Sequence, residues 1–296
     1  MSARPGPSAG PPTGPSQGAA AGYHPRRTLS FGSEVRRQLP RRRTQLALGM
    51  AVLLPVLLAC ALKLGTAQGP QDGVPSLVQL AGTGAVNFTL FTLFAATGLF
   101  LVVIVAVFAG DAVAGEASWS SLRYLLIAPV PRSRLLHRKL LVACAFGGAA
   151  LVLLTLAALL AGWLAFGWAP ARAPMGTTLS SSEALVRLGI AVCYLAVMLL
   201  TVAAVAFSLG VRTDAPLGPV GGTVLLMVVS TILDAVPSLG AARNFLPTHY
   251  QYAWLDLLGP GIHWDEMQRG AALSIVYSAV LLALAWRHFL RKDILS

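Results

Sequence analysis

The 296-residue chain has few charged residues for its length. Lys, Arg, Asp and Glu make up 11% of the residues, whereas a soluble globular domain usually carries about 25%. Hydrophobic residues make up 56%, and the mean hydropathy is +0.70. So few charges could not cover the surface of a soluble protein of this size. The composition argues against a soluble enzyme and a disordered protein, and it predicts an integral membrane protein.

Cysteine is also scarce. Cys60, Cys144 and Cys193 each lie alone within an apolar run, without a CxxC motif or a neighbouring Cys/His cluster. This pattern excludes a disulfide framework and argues against a zinc site. We expect the three cysteines to serve as small apolar packing residues.

Long stretches without charge predict an all-α membrane protein with six spans, because a span needs about 20 mostly apolar residues. A helix satisfies its own backbone hydrogen bonds, which lipid cannot do. The alternating runs of about ten residues that are typical of a membrane β-barrel do not occur. The spans are predicted at about 44–64, 88–110, 138–164, 187–210, 216–236 and 269–289.

The chain before the first span has a different composition. Residues 1–27 are rich in Pro, Gly, Ser and Ala, and we predict a disordered cytoplasmic tail that precedes a transmembrane domain over 28–296. Between the tail and the first span, apolar residues recur every four positions at Phe31, Val35 and Leu39. The residues on the opposite side are Glu34, Arg36, Arg37 and Gln38. This pattern favours a short amphipathic helix in the cytoplasmic interface, and a basic linker is the alternative.

The basic residues predict the orientation. With six spans both termini lie on one side, and that side holds seventeen of the 22 Lys and Arg residues. By the positive-inside rule it is cytoplasmic. The net charge of +11 is then explained by topology and by anionic membrane lipids, so nucleic acid is not an expected partner.

The loop between the second and third predicted spans places apolar side chains among charges. Trp119, Leu122 and Leu126 fall at positions i, i+3 and i+7, and Leu125 widens the stripe. Pro129 is expected to end this short helix. An exposed apolar helix usually marks a partner site, and packing against the chain's own spans is the alternative.

The same stretch resembles the signature of type-2 ABC exporter permeases. That family has an acidic-Ala-Gly-Glu exit from the second span, then Gly-Thr-Leu-Arg-x-Leu-Leu, Pro-Val-x-Arg and a later Lys. The matching residues here are Asp111, Gly115, Glu116, Leu122, Arg123, Leu125, Leu126, Pro129, Val130, Arg132 and Lys139. The chain departs at Ser120 and Ser121, where the family usually has Gly-Thr. The closing stretch 289–294 is also similar to the end of that family.

The resemblance implies a permease subunit of an ABC exporter. In that family two permease chains, as a homo- or heterodimer, form the pathway, and two separate ATP-binding-cassette ATPase subunits dock from the cytoplasm. The helix between the second and third spans is the coupling helix, which fits a groove of the ATPase. The residues implied at this interface are Glu116, Trp119, Leu122, Arg123, Leu125, Leu126, Pro129 and Arg132. The resemblance says nothing about the substrate.

ATP hydrolysis is expected in the partner rather than in this chain. A P-loop needs GxxxxGK followed by Ser or Thr, and none of the three lysines, Lys63, Lys139 and Lys292, has that context. We therefore assign no catalytic residue, cofactor or metal to this chain, and ATP and Mg²⁺ are expected on the ATPase subunit. The alternatives are a non-transporting anchor or regulatory component of an ATPase complex, or an autonomous membrane protein.

Two polar or aromatic features stand near the outer ends of the spans. Asp234 lies near the end of the fifth span, and Arg187 enters the fourth at a similar depth, so we expect an interfacial pair or hydration. A polar point on a substrate path is the alternative. Further on, Tyr250, Trp254 and Leu257 recur at helical spacing together with Leu258, which predicts an amphipathic helix with aromatic residues in the outer interface.

Overall fold

The computed structural model describes residues 31–65, 77–118, 132–172, 178–213, 215, 217–259 and 261–291. Within these ranges the chain is almost entirely helical, so the all-α fold is confirmed. The α-helices are α1 (Phe31–Gln38), α2 (Arg42–Leu64), α3 (Leu77–Ala81), α4 (Ala85–Thr97), α5 (Phe100–Ser118), α6 (Arg132–Phe166), α7 (Ser181–Arg212), α8 (Leu217–Asp234) and α9 (Asp265–Arg291). The short elements are strands β1 (Ala171–Arg172) and β2 (Thr178–Leu179) and the 3-10 helices Pro237–Phe245 and Ala253–Leu258.

Five helices in the described chain, α2, α6, α7, α8 and α9, are long and apolar enough to cross a membrane. The number rises to six if α4 and the following part of α5 count as one span. These two helices are bent by 58° where the sequence predicts one continuous span. Tyr252 packs against the bend at Gly98. Its hydroxyl oxygen lies 2.9 Å from the position that a Cβ atom on Gly98 would occupy.

Helix α7 lies at the centre of the bundle. It contacts α5, α6, α8 and α9, and 67% of its most apolar window is buried. Helix α2 packs on α6 at the periphery, and only 17% of its window is buried. Large apolar side chains such as Leu53, Leu225 and Ile275 therefore point outward, as lipid-facing residues do.

Helices α5 and α7 approach each other closely. A side-chain carbon added at Gly210 of α7 would lie 2.6 Å from the carbonyl oxygen of Gly110 in α5. Small residues permit such backbone contacts between membrane helices. At Gly148 and Gly221, by contrast, an added carbon meets nothing within 4 Å.

The connection between α6 and α7 forms a small antiparallel hairpin, with Ala171 opposite Leu179 and Arg172 opposite Thr178. The Asn87 side chain of α4 ties this hairpin to the bundle. It donates to the Arg172 carbonyl at 3.0 Å and accepts from the Arg172 amide at 3.2 Å. Helix α7 then begins at the N-cap Ser180, whose hydroxyl accepts from the Glu183 amide.

Within the chain between α8 and α9, residues 250–258 turn into the bundle, whereas Pro237–Phe245 has no buried residue. Tyr250, Trp254, Leu257 and Leu258 are all buried, and Trp254 is 0% exposed. The Tyr194 hydroxyl of α7 donates to the Tyr250 carbonyl at 2.7 Å. The predicted helix is present in part, as the 3-10 helix Ala253–Leu258, but the prediction that its aromatic residues lie in the outer interface is wrong. The apolar residues recur at the predicted positions, but their side chains face the interior of the bundle.

The three cysteines are free thiols. Cys144 is half-buried in α6, in keeping with the predicted packing role. Cys60 and Cys193 are exposed on α2 and α7, so they do not pack in the interior of this chain.

Candidate functional site

Helix order and contacts bring six helix termini to one end of the bundle, which we call the basic end. It holds the beginnings of α2, α6 and α8 and the last turns of α5, α7 and α9. Contacts between their side chains support this grouping: Arg43 meets Asp111, and Trp286 lies against Phe207 and His137. The three Arg residues at 41–43 stand here, as does Lys139.

Most residues of the predicted coupling interface lie outside the described residues. These are Trp119, Leu122, Arg123, Leu125, Leu126 and Pro129. Glu116 lies in the last turn of α5, and Arg132 is the first residue of α6. These two residues stand at the basic end, and the role of the predicted interface stays a prediction.

Helix α1 packs against α6 through its polar side. Glu34 is 2% exposed, and it accepts from Arg37 at 2.9 Å and from Gln38 at 3.0 Å. The Nζ atom of Lys139, which is 1% exposed, lies 3.9 Å from the same carboxylate oxygen. Of the predicted apolar side, Phe31 and Leu39 are exposed and Val35 packs against the core, whereas Glu34 and Gln38 of the predicted polar side are buried.

The environment of Glu34 favours its ionised form. Burial by itself raises the pKa of this carboxyl, but Lys139 and the hydrogen bonds from Arg37 and Gln38 oppose that effect. Together they hold the pKa of Glu34 below its ordinary value. The buried face of α1 is therefore an ionic contact at neutral pH.

A second ion pair joins α2 to α5. The Arg43 guanidinium donates to the Asp111 carboxylate at 2.7 Å. The arginine side chain is 58% exposed and the aspartate 18% exposed. Water and salt reach the arginine of this pair more easily than they reach Glu34 and Lys139, although its charged atoms lie closer together.

A lateral groove of about 660 Å³ opens between α2, α5 and α8. Its walls are apolar and include Leu46, Met50, Val103, Val107 and Leu217. The pair of Arg43 and Asp111 closes its basic end. The volume falls within the range of about 300–1,000 Å³ that ligand pockets occupy.

The opposite end of the bundle holds a separate polar cluster. The Nδ1 atom of His249 lies 2.5 Å from the Asp234 carboxylate, and Arg243 approaches the same oxygen at 3.5 Å. All three side chains are partly exposed. Asp234 therefore fastens the end of α8 to the chain that turns into the bundle.

The predicted pair of Arg187 and Asp234 is wrong. Arg187 instead binds Glu183 one turn earlier in α7, at 2.6 Å. It also donates to the backbone carbonyls of Leu257 and Gly259 at 2.5 and 2.9 Å. Carbonyl oxygens of an irregular segment attract the guanidinium, and sequence spacing gives no sign of such acceptors.

Among the described residues, no group of three or more His, Cys, Asp or Glu side chains is placed to hold a metal ion. The pairing of Glu34 with Lys139 is the site feature that sequence reasoning missed. The signature includes Lys139 as its last position, but nothing in the sequence indicates Glu34 as its partner.

The helices and their outward apolar surface define an all-α membrane protein. Residues 72–295 match the model of a family described as "Protein of unknown function (DUF2705)". The match covers more than half of the chain, and the chain belongs to this family. A protein of Bacillus subtilis (strain 168), described as "Uncharacterized protein YhcI", is 27% identical over 229 residues. That alignment covers 72% of this chain and 67% of the relative.

Proposed function

We propose that the chain is the membrane-spanning permease subunit of an ABC exporter and couples to a separate ATPase. The observation that carries the proposal is the signature from Asp111 to Lys139, which runs from the last turns of α5 into the first turns of α6. Its place at the basic end, between two apolar helices, is where a coupling helix would meet a cytoplasmic partner. ATP and Mg²⁺ bind to that partner.

The lateral groove supports a transport pathway. In a dimer of permease chains, homo- or heteromeric, the groove between α2, α5 and α8 would contribute to the space between the two chains. Its walls are apolar, and its closed end carries Arg43 and Asp111. Such a lining suits a substrate with a hydrophobic part.

The proposal includes a finer topology. Helices α4 and α5 form one bent span, which brings the total to six and places both termini in the cytoplasm. Helix α1 lies in the interface with Phe31 and Leu39 toward lipid. The distribution of Lys and Arg supports this orientation, and the relative from Bacillus subtilis supports a bacterial plasma membrane.

The docking step is tested by purifying the chain from its native membrane in a mild detergent and identifying bound proteins by mass spectrometry. We expect a Walker-motif ATPase to be recovered. The double variant Leu122→Asp, Leu126→Asp should lose it, because two carboxylates would have to be buried in an apolar contact.

Two matched controls separate docking from general damage. Ser120→Asp adds a charge to the same stretch but off the predicted apolar stripe, and Leu122→Ile with Leu126→Met keeps the stripe apolar. Both should retain the ATPase. Recovery of the chain without an ATPase in several detergents, or equal recovery with the double-Asp variant, would refute the coupling assignment.

A second measurement separates an exporter from an anchor that only holds an ATPase. Val103→Trp fills the groove, whereas Val276→Trp adds the same side chain to the outward surface of α9. In an exporter, ATP hydrolysis by the purified complex changes in the first variant and not in the second. Equal rates in both variants would favour the anchor.

A further inference from the structure

The chain just before and into the first span contacts both ends of the α5-to-α6 connection. We call residues 31–43, which comprise α1 and the start of α2, the entry segment. It supplies one acid, Glu34, to Lys139 of α6, and one base, Arg43, to Asp111 of α5. Asp111 and Lys139 are the first and last residues of the signature at the basic end.

The two contacts are of opposite polarity, which makes each of them specific. The entry segment offers a carboxylate to the cation on α6 and a guanidinium to the acid on α5. Exchanging the partners would place like charges together, which costs several kcal/mol between docked surfaces. The entry segment therefore has one register in which both pairs form.

The contacts also differ in their exposure to solvent. Glu34 and Lys139 are almost completely buried, so reversing the charge of either one places like charges together in a poorly solvated site. The Arg43 side chain is 58% exposed, so water and salt screen its contact with Asp111 more strongly. One contact is thus shielded from solvent, and the other is partly screened by it.

From this arrangement we infer that the entry segment is a two-point clamp that holds the basic ends of α5 and α6 in a defined relation. The clamp thereby sets how the chain between these two helices meets a partner. The first statement stands on the described contacts alone. The second rests on the proposed function.

The contact of the clamp with α6, without which there is no two-point clamp, is tested without any partner. The full chain is placed in lipid nanodiscs, its three native cysteines are replaced by alanine, and spin labels are attached at exposed Leu39→Cys and Leu141→Cys. We expect a narrow distance distribution between the labels. The charge variants are made in an Arg37→Gln background, which removes the other cation that contacts Glu34. Glu34→Lys and Lys139→Glu should each broaden the distribution, and the double exchange should restore it.

Arg36→Glu is the matched control, because Arg36 is an exposed residue of the same helix and undergoes the same size of charge change. It should leave the distribution narrow. An unchanged distribution in both single variants, or a double exchange that fails to restore it while the protein stays folded, would overturn the clamp. Restoration by exchange also distinguishes the ion pair from a general loss of folding.

The effect on a partner is tested by recovery of the ATPase with the same variants. We expect about a tenfold or greater loss in Glu34→Lys and in Lys139→Glu, and return to nearly native recovery in the double exchange. Arg43→Asp should have a smaller effect, and the added change Asp111→Arg should reverse it.

The outcomes of the two experiments distinguish a failure of the proposed function from a failure of the clamp. If the native chain recovers no ATPase, the proposed function fails together with the partner role of the clamp, while the spin-label result still decides whether the clamp exists. If the native chain recovers the ATPase and the single variants recover it equally well, the clamp has no role in docking and only anchors α1.

Discussion

Gly210 occupies a position where the backbones of two helices leave no room for a side chain. An added carbon would lie 2.6 Å from the carbonyl oxygen of Gly110, which belongs to the backbone and cannot rotate away. The contact lies near the basic end, where Gly110 directly precedes Asp111 in α5. A single methyl group here would have to move one helix relative to the other.

We therefore predict that Gly210→Ala destabilises the protein by about 1–3 kcal/mol, the usual cost of overpacking. Gly148→Ala in α6 is the control, because its added carbon meets nothing within 4 Å. It should be neutral or stabilising, since alanine favours a helix by about 1 kcal/mol over glycine. Thermal unfolding of the purified chain measures both, and equal shifts in the two variants would contradict the prediction.

At the scale of whole elements, hydroxyl groups join α7 to α9. The hydroxyls of Thr201 and Ser274 lie 2.7 Å apart, and Ser274 donates to the Val197 carbonyl, also at 2.7 Å. Ser208 makes a similar bond to the Leu281 carbonyl. Membrane helices gain little from the hydrophobic effect against lipid, so such bonds and close packing hold the two helices together.

Ser274→Ala should weaken the contact between α7 and α9 by about 0.6–1.7 kcal/mol for each hydrogen bond that is lost. Ser278→Ala is the matched control, one turn further along α9. Its hydroxyl is buried, and it has no hydrogen-bond partner among the residues that the structure describes. Removing it should cost nothing or stabilise the protein. Unfolding in mixed micelles measures both, and an equal loss in the two variants would show that these bonds do not join the helices.

The docking of α1 should depend on pH. The pKa of Glu34 is held below its ordinary value, so the ionised form stabilises the docked helix. This contribution is complete above the pKa of the undocked carboxyl, near 4.5, and is lost as the pH falls through the lower pKa of the docked state. Spin-label distances between Leu39→Cys and Leu141→Cys, recorded during an acid titration, should broaden only in that acidic range. In Glu34→Gln the change over the same range should be smaller, because Asp111 is then the remaining carboxylate that contacts the entry segment. Broadening near neutral pH would contradict the assignment.

At the scale of the whole molecule, the helices alternate between a basic end and an opposite end. Helices α2, α6 and α8 begin at the basic end, and α7 and α9 finish there. A bundle whose Lys and Arg residues are concentrated at one end has one favoured orientation in a cell membrane. The number of membrane crossings is six if α4 and α5 together count as one crossing, and five if they do not.

We predict that both ends of the described chain lie on the cytoplasmic side. In a background without native cysteines, Arg36→Cys and Arg291→Cys should react with a membrane-impermeant maleimide only after the cells are opened. Ser238→Cys, exposed at the opposite end, should react in intact cells. If Arg36→Cys and Arg291→Cys reacted from opposite sides, α4 and α5 would not form a single crossing.

Part of the candidate site could be predicted from the sequence. The signature from Asp111 to Lys139 indicated the α5-to-α6 connection as the candidate partner site. The central residues of the signature lie outside the described chain. The recurrence of Phe31, Val35 and Leu39 predicted a short helix before the first span, which α1 is, but not which of its sides packs against α6. The sequence did not indicate that Glu34 would be buried against Lys139, because a carboxylate in an amphipathic pattern is expected in water.

The class of protein, its all-α architecture and the approximate limits of its long helices were determined by the sequence alone. Lipid offers no hydrogen bonds to the backbone, so a long stretch without charge must become a helix wherever it packs. Only the tertiary structure decided the break at Gly98, the inward turn of residues 250–258, and the partners of Arg187 and Asp234. Lipid and the bundle interior are both apolar, so hydropathy cannot distinguish the two faces of a helix, and pairings arise only when the helices dock.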